Sequence, residues 1–179
     1  MAKKLPLARL GVVGGGQLAR MLAPACNNHD VQMTILDPYY NSPAGKVAFD
    51  QIEGELDDPA ALQLLCERSD IVTFDLENVG TDILVGLADQ GIEIVPAPAV
   101  ISLIQNKFYQ KCHYRDCGIS TAEFTDLTEK SSFSDVEAFG LPCVQKTHTG
   151  GYDGRGVHII RSIEDWKNRL GNPSFIEKF

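Results

Sequence analysis

The feature that most limits the fold is an alternation. Over the first hundred residues, short apolar runs at 7–13, 32–36, 71–76 and 92–95 take turns with helically spaced segments at 17–26, 58–68 and 81–90. Strands that alternate with helices pair in parallel and are joined by right-handed crossovers. Residues 1–98 therefore read as a doubly wound parallel α/β sheet. Asp58 is a suitable N-cap for the second helix, with Pro59 at its first position. Pro24 lies inside the first helix, where a missing donor and a ring clash predict an end or kink near Ala23. Residues 47–49 read as a short edge strand.

After Pro98 the pattern changes. Residues 100–117 read as one helix, 118–121 break it, and 134–139 form a short helix. Residues 143–147 read as a strand, 148–156 as a glycine-rich loop and 157–161 as the partner strand. A helix at 163–170 follows, and 175–179 look like a strand just begun. A second domain, 99–179, starts here. The chain has 179 residues, a little over one domain's worth, so one domain plus a piece of another is expected.

Sixteen Lys and Arg stand against 24 Asp and Glu, a net charge of −8, which argues against a broad grip on nucleic acid or anionic membrane. It leaves room for a local cationic pocket. No run approaches the ~20 apolar residues of a membrane span. The start, Met1 to Pro6, reads as cytosolic. Five cysteines without a C-x-x-C pair suit the reduced thiols of a cytoplasmic protein.

Two glycine segments carry the chemistry. Gly14-Gly15-Gly16-Gln17-Leu18-Ala19 fits the G-x-G-x-x-[GA] dinucleotide fingerprint between strand and helix, and Asp37 ends the next strand, where a ribose-binding acid would sit. Alone this reads as an NAD-dependent oxidoreductase. A tight glycine turn, however, brings backbone N–H groups and a helix N-terminus to any anion, and Asp-Pro commonly opens a turn. The second segment runs from Lys146 through Gly150-Gly151-Tyr152-Asp153-Gly154-Arg155-Gly156. Its glycines permit a loop whose amides wrap phosphate oxygens, and Lys146 precedes it as a point charge. The order is not that of a Walker A loop. A wide β-hairpin turn is the plain alternative, but it would not call for Tyr, Asp and Arg as well.

These segments, together with Phe74-Asp75-Leu76-Glu77-Asn78-Val79 and Gln105-Asn106-Lys107, resemble the N5-carboxyaminoimidazole ribonucleotide synthetase family, the ATP-grasp carboxylases of purine biosynthesis. The likeness covers essentially the whole chain. It implies a pre-ATP-grasp domain followed by the early part of an ATP-grasp α+β domain. It also implies a reaction in which ATP phosphorylates bicarbonate to carboxyphosphate, which then carboxylates 5-aminoimidazole ribonucleotide. Such chemistry is mostly positioning and charge neutralisation, with water kept out.

The resemblance assigns roles residue by residue. Lys146 and Lys107 would meet the nucleotide phosphates, and Gly151, Tyr152, Asp153, Gly154, Arg155, Gly156 and Val157 would form a lid over ATP. Tyr152, Asp153 and Arg155 would also orient substrate. Glu177, Lys178 and Phe179 would begin the strand that receives adenine and ribose. Gly16, Gln17 and Leu18, with Asp75 and Glu77, would approach the ribonucleotide. Relatives commonly carry Glu-x-Glu-Asn where this chain has Asp75-Leu76-Glu77-Asn78, one methylene shorter at the first acid; alternatively, Asp75 and Glu77 simply terminate a strand. His148 reads as solvent-facing.

The family's magnesium ligands and closing domain are expected beyond Phe179. The chain is accordingly expected to be an incomplete and inactive piece of a cytoplasmic homodimer whose partners are small molecules. A nucleotide-binding module without catalysis is the remaining alternative.

Overall fold

A computed structural model describes residues 8–151 and 154–179, so the expectations for Tyr152 and Asp153 lie outside the described residues. The chain divides into two units, Met1–Ser102 and Leu103–Phe179.

The first unit contains β1 (Arg9–Val13), α1 (Gln17–Asn28), β2 (Gln32–Asp37), β3 (Asp50–Glu53), α2 (Pro59–Glu67), β4 (Ile71–Phe74) and α3 (Thr81–Asp89). Its four strands are all parallel, in the order β3-β2-β1-β4. Side-chain alternation splits the core in two. Val12, Met33 and Ile35 meet Ala19, Ala23 and Cys26 of α1, while Gly11, of opposite parity, lies against Leu65 of α2. Leu62 and Leu65 of α2 are fully buried, each contributing about 1.5–3 kcal/mol. Strand order reverses between β1 and β4, so the carboxyl ends of those two strands form the switch point where open α/β sheets bind ligands.

Three expectations change in this unit. The first helix passes through Pro24 to Asn28 without ending at Ala23. Pro24 lies on the exposed side, while buried Ala23 and Cys26 on either side of it hold the last turn against the sheet. Burial there offsets the lost donor. The strand expected at 92–95 is reduced to a single parallel bridge between Val72 and Ile94, because Pro96 and Pro98 follow at once. The edge strand is Asp50–Glu53, not 47–49, and its one buried residue is Ile52.

α4 (Pro98–Gln105) leads into the second unit, which contains α5 (Lys107–Asp116), β5 (Phe124–Leu127), α6 (Phe133–Phe139), β6 (Cys143–Thr147), β7 (Val157–Ile160), α7 (Ile163–Lys167) and β8 (Ser174–Lys178). The single helix expected over 100–117 is two. Asn106 is extended, and its side chain accepts from the Tyr109 N–H at 3.0 Å, the N-cap arrangement Asn favours. The sheet is antiparallel, in the order β5-β8-β6-β7. β8 is thus an interior strand, and β5 was not legible as a strand because its Phe-Thr-Asp-Leu sequence is half polar.

Alternation gives this sheet two unlike faces. Leu127, Cys143, Ile160 and Ile176 pack with Val136 of α6 and Trp166 of α7. Gln145 shares that parity and is fully buried; its amide donates to Leu170 O and Ser174 Oγ, and its oxygen accepts from the Leu170 N–H at 2.9 Å. Gln145→Leu keeps the volume but leaves those groups unpaired, so urea unfolding of the second unit is expected to show a loss of about 2–4 kcal/mol. Among the described residues no helix is long and apolar enough to cross a membrane.

Candidate functional site

At the switch point of the first unit, the glycine turn is filled by the protein's own carboxylates. Asp37 is buried and accepts from the N–H groups of Gly15 at 2.8 Å and Tyr39 at 2.9 Å. Asp75, at the end of β4, accepts from the Gly16 N–H at 2.8 Å with one oxygen and from the Ala19 N–H with the other. Gly16 is the N-cap of α1 and makes no side-chain cap of its own, so Asp75 caps the helix from 59 residues away. The turn is glycine because a Cβ on Gly16 would strike the Asp75 carboxylate and one on Gly15 would strike Ser42. The fingerprint therefore serves internal packing. Each acid thus already accepts two backbone N–H groups, one on each oxygen. The remaining amides at the start of α1 belong to Gln17 and Leu18, both exposed, as is Glu77 after β4. A cleft of about 600 Å³ opens nearby, lined by Pro38, Glu55, Asp57, Asn78 and Thr81.

In the second unit the chemistry gathers on the sheet face not covered by α6 and α7. Phe124, Val144, Lys146, Val157, Phe175 and Glu177 share one parity across β5, β8, β6 and β7. The start of α5 lies on this face, with Phe108 against Phe124 and Phe175 at centroid distances of 5.7 and 5.8 Å. Glu177 is paired with two lysines: Lys111 of α5 at 2.7 Å and, diagonally across the sheet, Lys146. The Glu177 side chain is 12% exposed, that of Lys111 13% and that of Lys146 31%.

Burial alone would raise the Glu177 pKa, but its hydrogen bonds and charge contacts with Lys111 and Lys146 outweigh it, and the carboxyl is held below its ordinary range. A lowered folded pKa stabilises fully above the unfolded value of ~4.3 and is lost as pH falls through the folded value. The stability gap between the wild-type chain and Glu177→Gln is therefore expected to shrink on acidification from pH 6 to pH 3, measured by urea titration at each pH.

The glycine-rich loop leaves this face between β6 and β7. Its neck is closed by Thr147 N–H donating to Gly156 O at 3.0 Å. Gly151 has φ +70°, and a Cβ there would collide with the Arg155 carbonyl. Lys107 holds the loop's approach twice: its backbone N–H donates to His148 O at 2.7 Å and its ammonium to Gly150 O. Arg155 is exposed.

Lys146, Val157 and Glu177 thus lie on one sheet face, Gly151, Gly154, Arg155 and Gly156 in one loop, and Lys107 at the start of α5 bonded to that loop's approach. Lys178 does not join them. It has the opposite parity, and its ammonium bonds Phe139 O and lies 4.5 Å from the Phe139 ring. Only its backbone can serve the open face. Phe179 follows the strand and is exposed.

His148 is not solvent-facing as expected. Its side chain is 12% exposed, stacks on Phe108 at 4.8 Å, and pairs through Nε2 with Asp126 at 2.8 Å. Lys111 escaped the sequence reading altogether. Its spacing of four from Lys107, which places both on one side of α5, was the available signal.

A parallel sheet with a carboxylate-filled glycine turn, followed by an antiparallel sheet bearing lysines and a glycine-rich loop, defines a pre-ATP-grasp and ATP-grasp pair. Residues 7–105 match the ribonucleotide synthetase preATP-grasp domain, and residues 112–177 match the ATP-grasp domain. The chain belongs to the N5-carboxyaminoimidazole ribonucleotide synthetase family of ATP-grasp ligases.

It is 31% identical to the N5-carboxyaminoimidazole ribonucleotide synthase of Synechococcus elongatus over 179 residues, covering 97% of this chain and 45% of that one. It superposes on the N5-carboxyaminoimidazole ribonucleotide synthetase of Thermotoga maritima with TM-score 0.89 and 35% identity, covering 96% of this chain and 46% of that one. The N5-carboxyaminoimidazole synthase of Aspergillus clavatus, in complex with ADP and 5-aminoimidazole ribonucleotide, gives TM-score 0.86 and 33% identity, covering 96% and 46%. The chain spans about half the length of these relatives.

Proposed function

We propose that this chain is the nucleotide-gripping portion of an ATP-dependent carboxylase that converts 5-aminoimidazole ribonucleotide and bicarbonate, through carboxyphosphate, to N5-carboxyaminoimidazole ribonucleotide. One observation carries the reading: Lys146, Glu177, Lys107 and the glycine-rich loop lie together at the uncovered face of the second sheet. Residues 1–98 form the pre-ATP-grasp part in this reading, and 99–179 the linker and ATP-grasp part.

Lys146 neutralises the nucleotide phosphates, and Lys107 does so after leaving Gly150 O. The lid of Gly151, Tyr152, Asp153, Gly154, Arg155, Gly156 and Val157 closes over them and excludes water from carboxyphosphate. Tyr152, Asp153 and Arg155 orient bicarbonate and the aminoimidazole. Glu177 and the backbone of Lys178 and Phe179 receive ribose and adenine. Gly16, Gln17, Leu18 and Glu77 approach the ribonucleotide, and Asp75 shapes that contact by holding the turn. Among the described residues no group of three or more His, Cys, Asp or Glu side chains is placed to hold a metal ion, and we assign no magnesium ligand among them. In the full-length protein we place this unit in a cytoplasmic homodimer acting on small molecules. The net charge of −8 supports the absence of a nucleic-acid partner.

Thermal-shift and calorimetric titrations of the chain with ATP, ADP, 5-aminoimidazole ribonucleotide and NAD test the reading. Stabilisation by ATP or ADP and none by NAD is expected. Stabilisation by NAD alone would overturn it.

A further inference from the structure

Two lysines share Glu177, but they are not equivalent. Lys111 has all three ammonium protons placed: on Glu177 Oε2 at 2.7 Å, Thr121 Oγ1 at 2.7 Å and Ala122 O at 3.3 Å. It also lies 5.5 Å from the Phe124 ring. Lys146 touches only Oε1 of Glu177 among the described residues, and it is the more exposed of the two. One lysine is anchored and the other has donors to spare.

We propose that Lys111 is a positioning residue of the nucleotide site, which fixes the Glu177 carboxylate and engages one of its two oxygens, so that Lys146 stays loosely held and available to an incoming polyphosphate. The role deepens the nucleotide-binding reading and rests on it for its consequence, though not for its test. A half-buried carboxylate facing one lysine would close into a tight one-to-one pair, since the interaction strengthens as water is withdrawn. With Lys111 anchored to the same group, the cluster carries a net positive charge, and a phosphate competes for Lys146 against a single oxygen. Thr121 and Ala122 hold the Lys111 ammonium in register, and so set where Glu177 lies on β8.

The claim that Lys111 acts through Glu177 makes it separable from a general structural role. The rate of Lys146 modification by an amine-reactive reagent is to be followed by mass spectrometry in the 179-residue chain, in Lys111→Met, Lys111→Arg, Glu177→Gln and the Lys111→Met/Glu177→Gln double variant. Far-ultraviolet circular dichroism checks each fold. Lys146 in Lys111→Met is expected to react about threefold to tenfold more slowly, because Glu177 then holds its ammonium alone. Lys111→Arg should react within about twofold of the wild-type rate, since the charge on Glu177 is kept. In the Glu177→Gln background, Lys111→Met should change nothing. An equal slowing in both backgrounds, or no slowing in either, overturns the proposal. If Lys111→Met does not fold, Lys111→Gln takes its place, removing the charge while keeping a polar end for Thr121 and Ala122; the same slowing of Lys146 is expected, and its absence overturns the proposal.

A second arm titrates ADP. Affinity should fall about tenfold in Lys111→Met, or roughly 1.4 kcal/mol, with recovery in Lys111→Arg. Absence of ADP binding by the wild-type chain would sink the nucleotide reading, while the labelling arm would still decide what Lys111 does to Lys146.

Discussion

Asp75→Ala is expected to lower the unfolding free energy of the first unit by about 2–3 kcal/mol, because one side chain supplies both the missing cap of α1 and the charge at its positive end. Gly16 offers no side chain to its own helix, and the Ala19 and Gly16 amides have the Asp75 oxygens as partners. Removing the carboxylate leaves two donors at the buried root of the turn and an uncompensated helix terminus. Asp75→Asn retains one acceptor oxygen and no charge, so about half the loss is expected, by the same per-bond magnitudes. Glu at this position has a further methylene to accommodate where Gly16 already lies against the carboxylate, so it should recover less than the native Asp. Urea unfolding followed by signals from each unit separately would check this. A loss below about 0.5 kcal/mol for Asp75→Ala would mean that water replaces the carboxylate without cost.

Lys146→Met is expected to weaken ATP and ADP binding by a factor of roughly 30–160, the equivalent of about 2–3 kcal/mol for one charge-assisted contact on a polyphosphate. The same change removes one of the two cations on Glu177, but Lys111 remains, so the fold should survive. Glu177→Gln is the informative companion. It unties Lys146 and keeps an acceptor oxygen, so the loss of affinity should be smaller than for Lys146→Met. Isothermal titration of both variants separates the two effects. Equal affinity in Lys146→Met and the wild type would remove this lysine from the phosphate site and with it the central assignment of the proposed function.

Much of this molecule was legible without coordinates. Periodicity gave the parallel unit its strands and helices, and Asp58 does cap α2, accepting from the Ala60 N–H at 2.9 Å. Lys146 and the glycine-rich loop stood out because their residue types make sense only together. The misreadings share a cause. Pro24, Asn106, residues 92–95 and β5 were judged from local preference, and each was decided by what the segment touches. Pro24 is carried by buried neighbours and β5 by its pairing with β8. That Asp75 and Asp37 meet backbone amides of the glycine turn was not legible, because a sequence shows a carboxylate without showing which donors it faces.

The sequence by itself determined the two-part architecture, the glycine loop and the family, since these depend on periodicity and on residues close together in the chain. Only the tertiary structure decided that Asp75 completes a helix 59 residues earlier, and that Lys111, 66 residues from Glu177, meets it. It also decided that His148 is stacked on Phe108 beside Asp126. The physical reason is the same in each case. Hydrogen bonds and ion pairs act over about 3 Å of space regardless of separation along the chain, and only the packed sheets bring those groups within reach.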